Sequence, residues 1–552
     1  MKPSRAASVA AVVAAGLLAA PAPTALADPP PVHVQLLGIN DFHGHLESTT
    51  PGTIRETPDS DPVPAGGAEY LATHIRKLKQ ENPNTVVVSA GDLIGASPLL
   101  SALFHDEPTI EAMNRIGLDF NAVGNHEFDE GATELLRMQN GGCHPTDGCL
   151  DGDGFDGARF KFLAANVVDK KTRKPLFAPY AIKKFQGIKV GFIGMTLEGT
   201  PEIVSPSGIA HLDFLDEAET ANHYATKLRR EHGVRAVVVL LHEGGTQAGG
   251  GGINDCNDLT GPIVDIVNRT TDAVDLFVTG HTHQAYNCVI DGRPVTSAYN
   301  NGRLITDIDL TLDRRTKDVA AVSVNNRIVT QDVPKAGDIS SLIARYDEIA
   351  APLRNRVVGS TTAAITRTAN DAGESALGDV IADAQLEATA APDRGNAVVA
   401  FMNPGGIRAD LDAGEVTYGE IFTVQPFGNS LVTMTLTGEQ IDTLLEQQWC
   451  GQESPRILQV SAGFSYTWDA SAPVCDRVDI STITINGEVI DPAGTYRVTV
   501  NSFLADGGDG FTVLREGTDR LGGDVDLDAL EAYFANHSPV APGPQDRIVR
   551  VN

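Results

Sequence analysis

The stretch Val34-Gln35-Leu36-Leu37-Gly38-Ile39-Asn40-Asp41-Phe42-His43 joins an apolar run to two candidate metal ligands, Asp41 and His43. Four similar clusters follow, and four of the five come directly after an apolar run. Buried parallel strands are typically apolar along their length. We therefore expect the clusters to lie in loops at the carboxyl ends of parallel strands, where ligand sites form in open α/β sheets. The other clusters are Gly91-Asp92, Gly124-Asn125-His126-Glu127, His242-Glu243 and Gly280-His281-Thr282-His283.

Carboxylate, imidazole and amide donors are mixed in these clusters. A single His or Asp after a strand is more often a cap, but five clusters at the same end of a strand pattern rarely arise by chance. The mixture suits Zn, Mn, Co or Fe, whereas calcium prefers oxygen ligands alone. The donors exceed what one tetrahedral ion needs, so we expect a site for two divalent ions. The predicted metal ligands are Asp41, His43, Asp92, Asn125, His242, His281 and His283.

The first 27 residues have the pattern of a secretory signal peptide. Lys2 and Arg5 precede the apolar stretch Ala6–Ala20, and an Ala-Leu-Ala tripeptide ends at Ala27. We therefore expect a signal peptide at residues 1–27 and an exported, extracellular protein. The apolar stretch is short for a membrane anchor, and no later segment reaches the length of apolar residues that a membrane span requires. No membrane span is expected.

The chain carries 42 Lys and Arg against 72 Asp and Glu, which gives a formal net charge of −30. Such a surface repels nucleic-acid polymers and anionic membranes. The expected partner is therefore a small molecule, and an anionic one would need metals and local arginines to bind. The oligomeric state is left open by the sequence.

The 6 cysteines are plausible disulfide partners in an exported protein. Proximity in the sequence suggests three pairs, although six cysteines allow many pairings. A cysteine zinc site is the alternative, but it is disfavoured because no C-x-x-C motif occurs. The suggested pairs are Cys143 with Cys149, Cys256 with Cys288, and Cys450 with Cys475.

The chain is too long for one hydrophobic core, so at least two domains are expected. Strand-like runs alternate with helical patterns up to about Val333, and the pattern restarts after Val357. Between them, Ile339–Arg356 has helical spacing and would bridge the domains. We also predict a helix at Ser101–Ile116 and a strand at Ile480–Ile485.

Three motifs resemble those of the secreted 5′-nucleotidase and UDP-sugar hydrolase family, within the calcineurin-like metallophosphoesterases. The resemblance spans essentially the whole chain after the signal peptide. It implies an α/β fold: a metallophosphoesterase α/β/β/α sandwich at residues 28–338, a linker helix at 339–358, and a C-terminal α/β nucleotide-binding domain at 359–552. The motifs are Gly38-Ile39-Asn40-Asp41-Phe42-His43-Gly44-His45, Gly124-Asn125-His126-Glu127-Phe128-Asp129 and Gly280-His281-Thr282-His283.

The resemblance also implies how the ligands divide between two ions, with the Asp92 carboxylate bridging them. One ion would be held by Asp41, His43, Asp92 and His283, and the other by Asp92, Asn125, His242 and His281. Hydroxide bound to the metals would attack phosphorus in line.

His126 resembles the catalytic histidine of the family and Asp129 its orienting partner. A protonated imidazole at His126 would stabilise the developing phosphoryl charge. The neighbouring Glu127 is expected to pack or to cap. The alternative for His126 is a hydrogen bond within its loop.

The C-terminal half carries the residues that would select the substrate. By resemblance, Phe427 and Phe503 sandwich a nucleobase, a kind of stacking worth roughly 1–3 kcal/mol per base. Asp509 would accept hydrogen bonds from ribose hydroxyls. Arg408 would grip phosphate or ribose, since its planar fork suits phosphate oxygens, with Asn403 alongside.

The chain departs from the family at Ala376, where animal members place a phosphate-contacting arginine. Arg367 is close enough in sequence to substitute for it. This departure leaves open the preference among mononucleotides, diphosphates and sugar-linked nucleotides.

These residues predict a secreted two-metal phosphohydrolase that removes the 5′-phosphate from nucleotides and could also cleave UDP-sugars. The alternatives are a 2′,3′-cyclic-nucleotide phosphodiesterase and a non-catalytic nucleotide-binding surface protein. The intact ligand set together with His126 and Asp129 argues against the second alternative. Because metal ligands and substrate ligands lie in different domains, we expect the domains to close on each other about a hinge near Ile339–Arg356.

Overall fold

The computed structural model describes residue 1 and residues 30–48, 52–204, 206–248, 251–452 and 454–552. The predicted signal peptide, apart from Met1, lies outside the described residues. All three suggested disulfides are confirmed: Cys143–Cys149, Cys256–Cys288 and Cys450–Cys475. No helix among the described residues combines the length and the apolarity needed to cross a membrane.

The N-terminal half contains, within the described residues, two six-stranded mixed sheets. Inner strands pair in parallel and antiparallel strands lie toward the edges. In spatial order the first sheet consists of Val319–Ile328, Leu304–Leu312, Val32–Ile39, Thr85–Ser89, Phe120–Ala122 and Lys161–Leu163. The second consists of Ala285–Ile290, Arg293–Ala298, Leu276–Thr279, Ala236–His242, Ile188–Thr196 and Tyr180–Phe185.

The two sheets pack face to face, and helices cover their outer faces. Leu36 and Val88 of the first sheet share one buried cluster with Phe192, Val238 and Val278 of the second. Two further clusters bury the outer faces under the helices. The predicted α/β/β/α sandwich is therefore confirmed. The helices are Ala68–Glu81, Leu99–Ala102, Glu107–Ile116, Gly131–Asn140, Thr200–Ile203, Pro206–Ile209, Glu217–Lys227 and Pro262–Arg269, with short turns at His126–Phe128 and Leu228–His232. In addition, the strand Thr53–Ile54 pairs with Val63–Pro64, and the strand Val167–Asp169 pairs with Leu212–Phe214.

The linking helix spans Gly337–Arg354 and belongs to the packing of the N-terminal domain. Ile339, Leu342 and Tyr346 are buried in the same cluster as the helices of the first outer layer. The ring of Tyr346 lies 4.7 Å from that of Phe104. A helix is thus present in the region expected to link the domains, and it packs against the N-terminal domain.

The C-terminal half combines a five-stranded and a four-stranded sheet with helices, in the described part of the chain. In spatial order the larger sheet consists of Gln459–Val460, Val399–Met402, Thr495–Asn501, Ser430–Thr437 and Thr518–Val525, and the smaller of Glu488–Val489, Thr484–Ile485, Phe464–Asp469 and Ile548–Val551. Val357–Thr361 pairs with Gly414–Thr417. The helices are Ala376–Thr389, Tyr418–Val424, Gly438–Glu446, Ser502–Ala505 and Asp526–His537, with short 3₁₀ turns at Pro404–Gly406, Ile480–Thr482, Gly508–Gly510 and Thr512–Glu516.

Two predicted elements were wrong in detail. The helix expected at Ser101–Ile116 is interrupted, because His105 and Asp106 adopt left-handed backbone conformations with φ of 51° and 61°. The strand expected at Ile480–Ile485 begins as a 3₁₀ turn, since the Asp479 side chain accepts the Ser481 N–H and caps that turn. The Asp479 cap is a local bond between side chain and backbone that competes with the strand, whereas the break at Asp106 is stabilised by its bond to the backbone N–H of Gly95.

Candidate metal centre and substrate cleft

The seven predicted metal ligands converge at the carboxyl ends of strands from both sheets. The ligand atoms of six of them form two groups, each lying within 4.8 Å: Asp41 with His43 and His283, and Asp92 with His242 and His281. The seventh, Asn125, lies beside His242 and His281. The first sheet supplies the loops that carry Asp41, His43, Asp92 and Asn125, and the second supplies those that carry the other three histidines.

In the first group, the nitrogen and oxygen atoms of the candidate ligands lie close together. His283 Nε2 lies 3.3 Å from Asp41 Oδ1 and 3.1 Å from His43 Nε2. His43 Nε2 is also 3.7 Å from Asp92 Oδ2. His43 Nδ1 donates to the carbonyl of Gly95 at 2.9 Å, which leaves Nε2 as the free ligand nitrogen.

The second group has similar close contacts, which also involve the Asp92 carboxylate. His242 Nε2 lies 2.9 Å from Asp92 Oδ2 and 3.1 Å from Asn125 Oδ1. His281 Nδ1 lies 3.0 Å from that Asn125 oxygen. His242 Nδ1 donates to the carbonyl of Ala90 at 2.8 Å, which again orients Nε2 inward. Asp92 therefore faces both groups, as a bridging ligand would.

The backbone at this centre is held in an unusual conformation. Positive φ is uncommon outside glycine and costs roughly 1–3 kcal/mol per residue. Gly91 adds a close approach, since a Cβ there would lie 2.6 Å from His242 Nδ1. Strain concentrated in these loops indicates that they are built to aim side chains. The ligand residues with left-handed φ are Asp41 (49°), His43 (47°), Asp92 (50°), His281 (71°) and His283 (50°).

The electrostatics of the centre fit divalent cations. Asp41 and Asp92 are at most 1% exposed. Burial alone would raise the pKa of Asp92, but the neighbouring His242 and His126 hold it well below its usual value. Burial alone would lower the pKa of His242, yet Asp92 raises it to about 10. A buried positive charge is thus favoured here, and divalent ions on the same donors would supply it in place of protons.

His126 and Asp129 form a pair beside the ligands. His126 Nδ1 donates to Asp129 Oδ2 at 2.9 Å, and the backbone N–H of His126 donates to Asp92 Oδ1 at 2.9 Å. Burial alone would lower the pKa of His126, but the charges of Asp129 and Asp92 raise it above its usual value. The ring can therefore hold a proton next to the metal ligands.

Glu127 neither binds the ligand side chains nor faces the cleft, but ties two ligand loops together. Its carboxylate accepts the backbone N–H groups of Asp92 at 2.9 Å, Leu93 at 2.9 Å and Gly124 at 2.6 Å. It also accepts from Asn121 Nδ2 at 3.1 Å. The expectation that Glu127 packs or caps agrees with this position.

The predicted substrate residues line the same cleft as the catalytic pair. The cleft has a volume of about 360 Å³ and receives His126 and Asp129 from one side and the C-terminal domain from the other. The Phe427 ring stacks on the His126 ring, with centroids 5.8 Å apart and 14° between the planes. The residues predicted to bind substrate that line it are Asn403, Arg408, Phe427, Phe503 and Asp509.

Polar side chains fix the floor of the cleft. Asn403 Nδ2 donates to Asp509 Oδ2 at 2.9 Å, and Asn501 Nδ2 donates to Asn403 Oδ1 at 3.0 Å. Arg408 lies over the Phe427 ring, 5.8 Å from its centroid. Burial lowers the pKa of Arg408, and the nearby Arg367 adds to this, while Asp129 and Asp92 oppose it. Arg408 lines the same cleft as the candidate metal ligands Asn125 and His281.

Several cleft residues were missed by the sequence reasoning. Arg456 forms an ion pair with Asp509, and Gln452 Nε2 donates to the Asp509 carbonyl at 2.7 Å. Asn300 Nδ2 lies 3.0 Å from His283 Nδ1. Ile203 and Val204 add an apolar wall from the N-terminal domain. No motif signalled these residues, because each reaches the site through a loop distant in sequence.

Ala376, the departure from the family pattern, is the first residue of the helix Ala376–Thr389 and is buried in an apolar cluster. Arg367 lies on the Arg408 side of the domain: its Nη1 donates to the carbonyl of Ile407 at 3.1 Å. It is therefore a neighbour of Arg408 in space as well as a candidate in sequence.

Fold and site together define a two-domain metallophosphoesterase. A family model described as calcineurin-like phosphoesterase matches residues 34–285. A second, described as 5′-nucleotidase, C-terminal domain, matches residues 357–516. The chain belongs to the 5′-nucleotidase family, whose calcineurin-like domain uses divalent metal ions.

The relatives extend over most of this chain. It is 33% identical over 521 residues to endonuclease YhcR of Bacillus subtilis, an alignment that covers 94% of this chain and 41% of that protein. It is 34% identical over 528 residues to the cell wall protein Lmo0130 of Listeria monocytogenes, covering 89% and 66%. The chain thus spans less than two thirds of the length of these two relatives.

A solved structure, that of a 5′-nucleotidase precursor from Thermus thermophilus, has the same architecture. Its TM-score is 0.75 with 29% identity, covering 94% of this chain and 99% of that one. The two-domain α/β prediction is confirmed.

Proposed function

We propose that this protein is an exported, two-metal phosphohydrolase that removes the 5′-phosphate from nucleotides. One observation carries the proposal: His126 and Asp129 line the same cleft as Arg408, Phe427, Phe503 and the other predicted substrate ligands. The candidate metal ligands lie beside this pair, which favours a catalytic site over a nucleotide-binding site without catalysis.

In the proposed reaction, the candidate metal ligands would bind two divalent ions. Asp41, His43, Asp92 and His283 would hold one divalent ion, and Asp92, Asn125, His242 and His281 the other, with Zn, Mn, Co or Fe as candidates. Bound divalent ions lower the pKa of water and neutralise phosphate charge.

The catalytic pair would act on the phosphate between the domains. His126 would donate a hydrogen bond from Nε2 to a phosphoryl oxygen, because its Nδ1 is already occupied by Asp129. Arg408 would bind a further phosphate oxygen from the opposite domain. The reaction would therefore need both domains in contact with one substrate.

The substrate class follows from the C-terminal wall. Phe427 and Phe503 are half-buried and line the cleft, so a nucleobase can stack on them. Asp509, in the lining of the same cleft, would accept hydrogen bonds from the ribose hydroxyls. One relative is named an endonuclease, yet the net charge of −30 favours mononucleotides over polymers for this chain. UDP-sugars, which also carry a nucleobase and ribose, are proposed as second substrates.

Product formation from a substrate panel tests the proposal. AMP, UDP-glucose, 2′,3′-cyclic AMP and single-stranded DNA would be supplied with added Mn²⁺, Co²⁺ or Zn²⁺, and the products would be separated by chromatography, because only AMP releases inorganic phosphate in a single hydrolysis. We expect AMP to yield adenosine and phosphate, with Asp92→Asn reducing both turnover and metal retention, and with Phe503→Ala raising KM more than it lowers kcat. Preference for the cyclic substrate would favour the phosphodiesterase alternative, and no hydrolysis of any substrate would favour a binding protein.

A further inference from the structure

A second cluster of metal-ligating side chains lies outside the candidate centre, near the protein surface. His105 Nδ1 lies 2.9 Å from Glu130 Oε2, and His105 Nε2 lies 2.9 Å from Asp147 Oδ2. His144 Nδ1 lies 3.2 Å from the same Asp147 oxygen. The two imidazole rings are stacked, with centroids 3.8 Å apart. The His105 ring therefore lies between two carboxylates, with Glu130 at Nδ1 and Asp147 at Nε2, and the His144 ring is stacked on it.

His105 reaches this cluster through the interruption between two helices. His105 and Asp106 both have left-handed φ, which ends the helical path after Leu99–Ala102. The Asp106 carboxylate stabilises the turn by accepting from the backbone N–H of Gly95 at 3.0 Å and from Ser101 Oγ at 2.5 Å. Two adjacent strained residues are retained at a cost, and their effect is to turn the His105 ring outward toward Glu130.

His144 and Asp147 reach the same cluster from a loop closed by the disulfide Cys143–Cys149. Inside the loop, the N–H of His144 donates to the Gly148 carbonyl at 3.2 Å, and the N–H of Gly148 donates to the His144 carbonyl at 2.9 Å. A covalently closed loop loses little conformational freedom when its side chains bind a ligand. Both side chains are therefore presented in a preorganised form.

The side chains are of the types that bind zinc in proteins, through imidazole nitrogens and carboxylate oxygens. The ligand atoms of His105, Glu130 and His144 lie within 4.8 Å of one another, as in both groups of the candidate centre. Burial alone would lower the pKa of His105, but Glu130 and Asp147 raise it to about 9, so positive charge is favoured here. The Glu130 and Asp147 side chains are 47% and 45% exposed, which leaves an entry path for an ion.

We propose that His105, Glu130 and His144 form a separate zinc site, with Asp147 holding the second nitrogen of His105. Zinc would turn the two rings out of their stack, because two nitrogen ligands of a tetrahedral ion approach it from different directions. The ion would clamp the disulfide loop onto Glu130, which directly follows Asp129. The site would thus stabilise the segment that holds the partner of His126, without taking part in the reaction.

Zinc content per chain tests the site directly. Full-length protein would be stripped with a chelator, dialysed against buffered zinc, and analysed for metal by mass spectrometry. We expect wild type to hold one more zinc per chain than either His144→Ala or Glu130→Gln. His223→Ala, which removes an exposed histidine elsewhere in the same domain, should match wild type. Equal zinc content in wild type and the two cluster variants would overturn the assignment.

A second measurement separates this site from the candidate metal centre. In an Asp92→Asn background, which removes the bridging ligand, zinc should still raise the unfolding temperature. That rise should disappear when His144→Ala is added, while the unfolding temperature without zinc stays the same. A rise of equal size with and without His144 would assign the zinc effect elsewhere and refute the proposal.

Discussion

At the scale of single residues, Asp129 has the clearest separable role. Its Oδ2 accepts from His126 Nδ1 at 2.9 Å and from the backbone N–H of Ala96 at 3.2 Å, so the carboxylate is fixed relative to the ring. Among the described residues, its hydrogen bonds go to Ala96 and His126 and to none of the seven candidate metal ligands. Replacing its charge should therefore change the proton affinity of His126 and leave metal binding intact.

Asp129→Asn should lower kcat for AMP roughly 10- to 100-fold with little change in KM, as expected when a partner that orients a functional group is lost. In the proposed reaction His126 acts while protonated, so activity should fall as pH rises through the pKa of His126. Asp129 raises that pKa, and its neutralisation should move the alkaline limb of the kcat profile to lower pH. The measurement is kcat from pH 5 to 10 in metal-saturated enzyme, at roughly half-unit steps.

Asp156→Asn, an exposed carboxylate of the same domain, serves as the control and should follow wild type. A profile for Asp129→Asn that superimposes on wild type after scaling would show that Asp129 does not set the protonation of His126.

At the scale of elements, the ligand loops depend on Glu127. Its two carboxylate oxygens accept four N–H groups: Oε2 from Asp92 and Gly124, and Oε1 from Leu93 and Asn121. The loops after the strands Thr85–Ser89 and Phe120–Ala122 are joined in this way. One side chain thus holds the loop of the bridging ligand against the loop of Asn125 and His126.

Glu127→Gln should destabilise these loops although it conserves shape. Whichever way the amide is oriented, its NH₂ faces two N–H donors, and each buried donor without a partner costs roughly 1–3 kcal/mol. We expect the free energy of unfolding to fall by about 2–4 kcal/mol and metal retention to fall with it, both followed by urea unfolding and metal analysis. Glu81→Gln, at an exposed helix end, should change neither. Unchanged unfolding in Glu127→Gln would mean that water satisfies these donors.

The elements also show which parts of the fold the sequence could predict. Strand positions followed from apolar runs such as Val86–Ala90, because burial on both faces leaves a continuous apolar pattern. The break at His105 could not be predicted, because it depends on Asp106 bonding to Gly95, a tertiary contact. The contacts of Glu127 could not be predicted for the same reason: its four donors come from two separate segments of the chain, Asp92–Leu93 and Asn121–Gly124.

At the scale of the whole molecule, the site is split between domains that touch across the cleft. The seven candidate metal ligands could be proposed from the sequence because each follows a strand of the N-terminal domain. Arg456 could not, since its role depends on its ion pair with Asp509, from a different loop of the C-terminal domain. The stack of Phe427 on His126 likewise exists only when the domains are closed.

The linking helix limits where the domains can turn. Ile339, Leu342 and Tyr346 are buried in the N-terminal core, so the helix Gly337–Arg354 should move with that domain. The hinge we proposed for Ile339–Arg356 is thereby narrowed to the residues after Arg354, where the chain leaves the helix for the strand Val357–Thr361. Beyond the helix, Arg356 pairs with Glu531 of the C-terminal domain.

A reducible crosslink across the cleft should therefore slow turnover. The segments Thr200–Ile203 and Gly508–Gly510 contact each other from opposite domains, and a cysteine in each would hold the domains closed. If product release requires opening, kcat for AMP should drop at least about tenfold when the crosslink forms and return on mild reduction. Each single-cysteine variant, carried through the same oxidation and reduction, controls for effects on the native disulfides. Equal kcat in the crosslinked and reduced states would mean that substrate and product exchange through the closed cleft, and the hinge would then have no part in turnover.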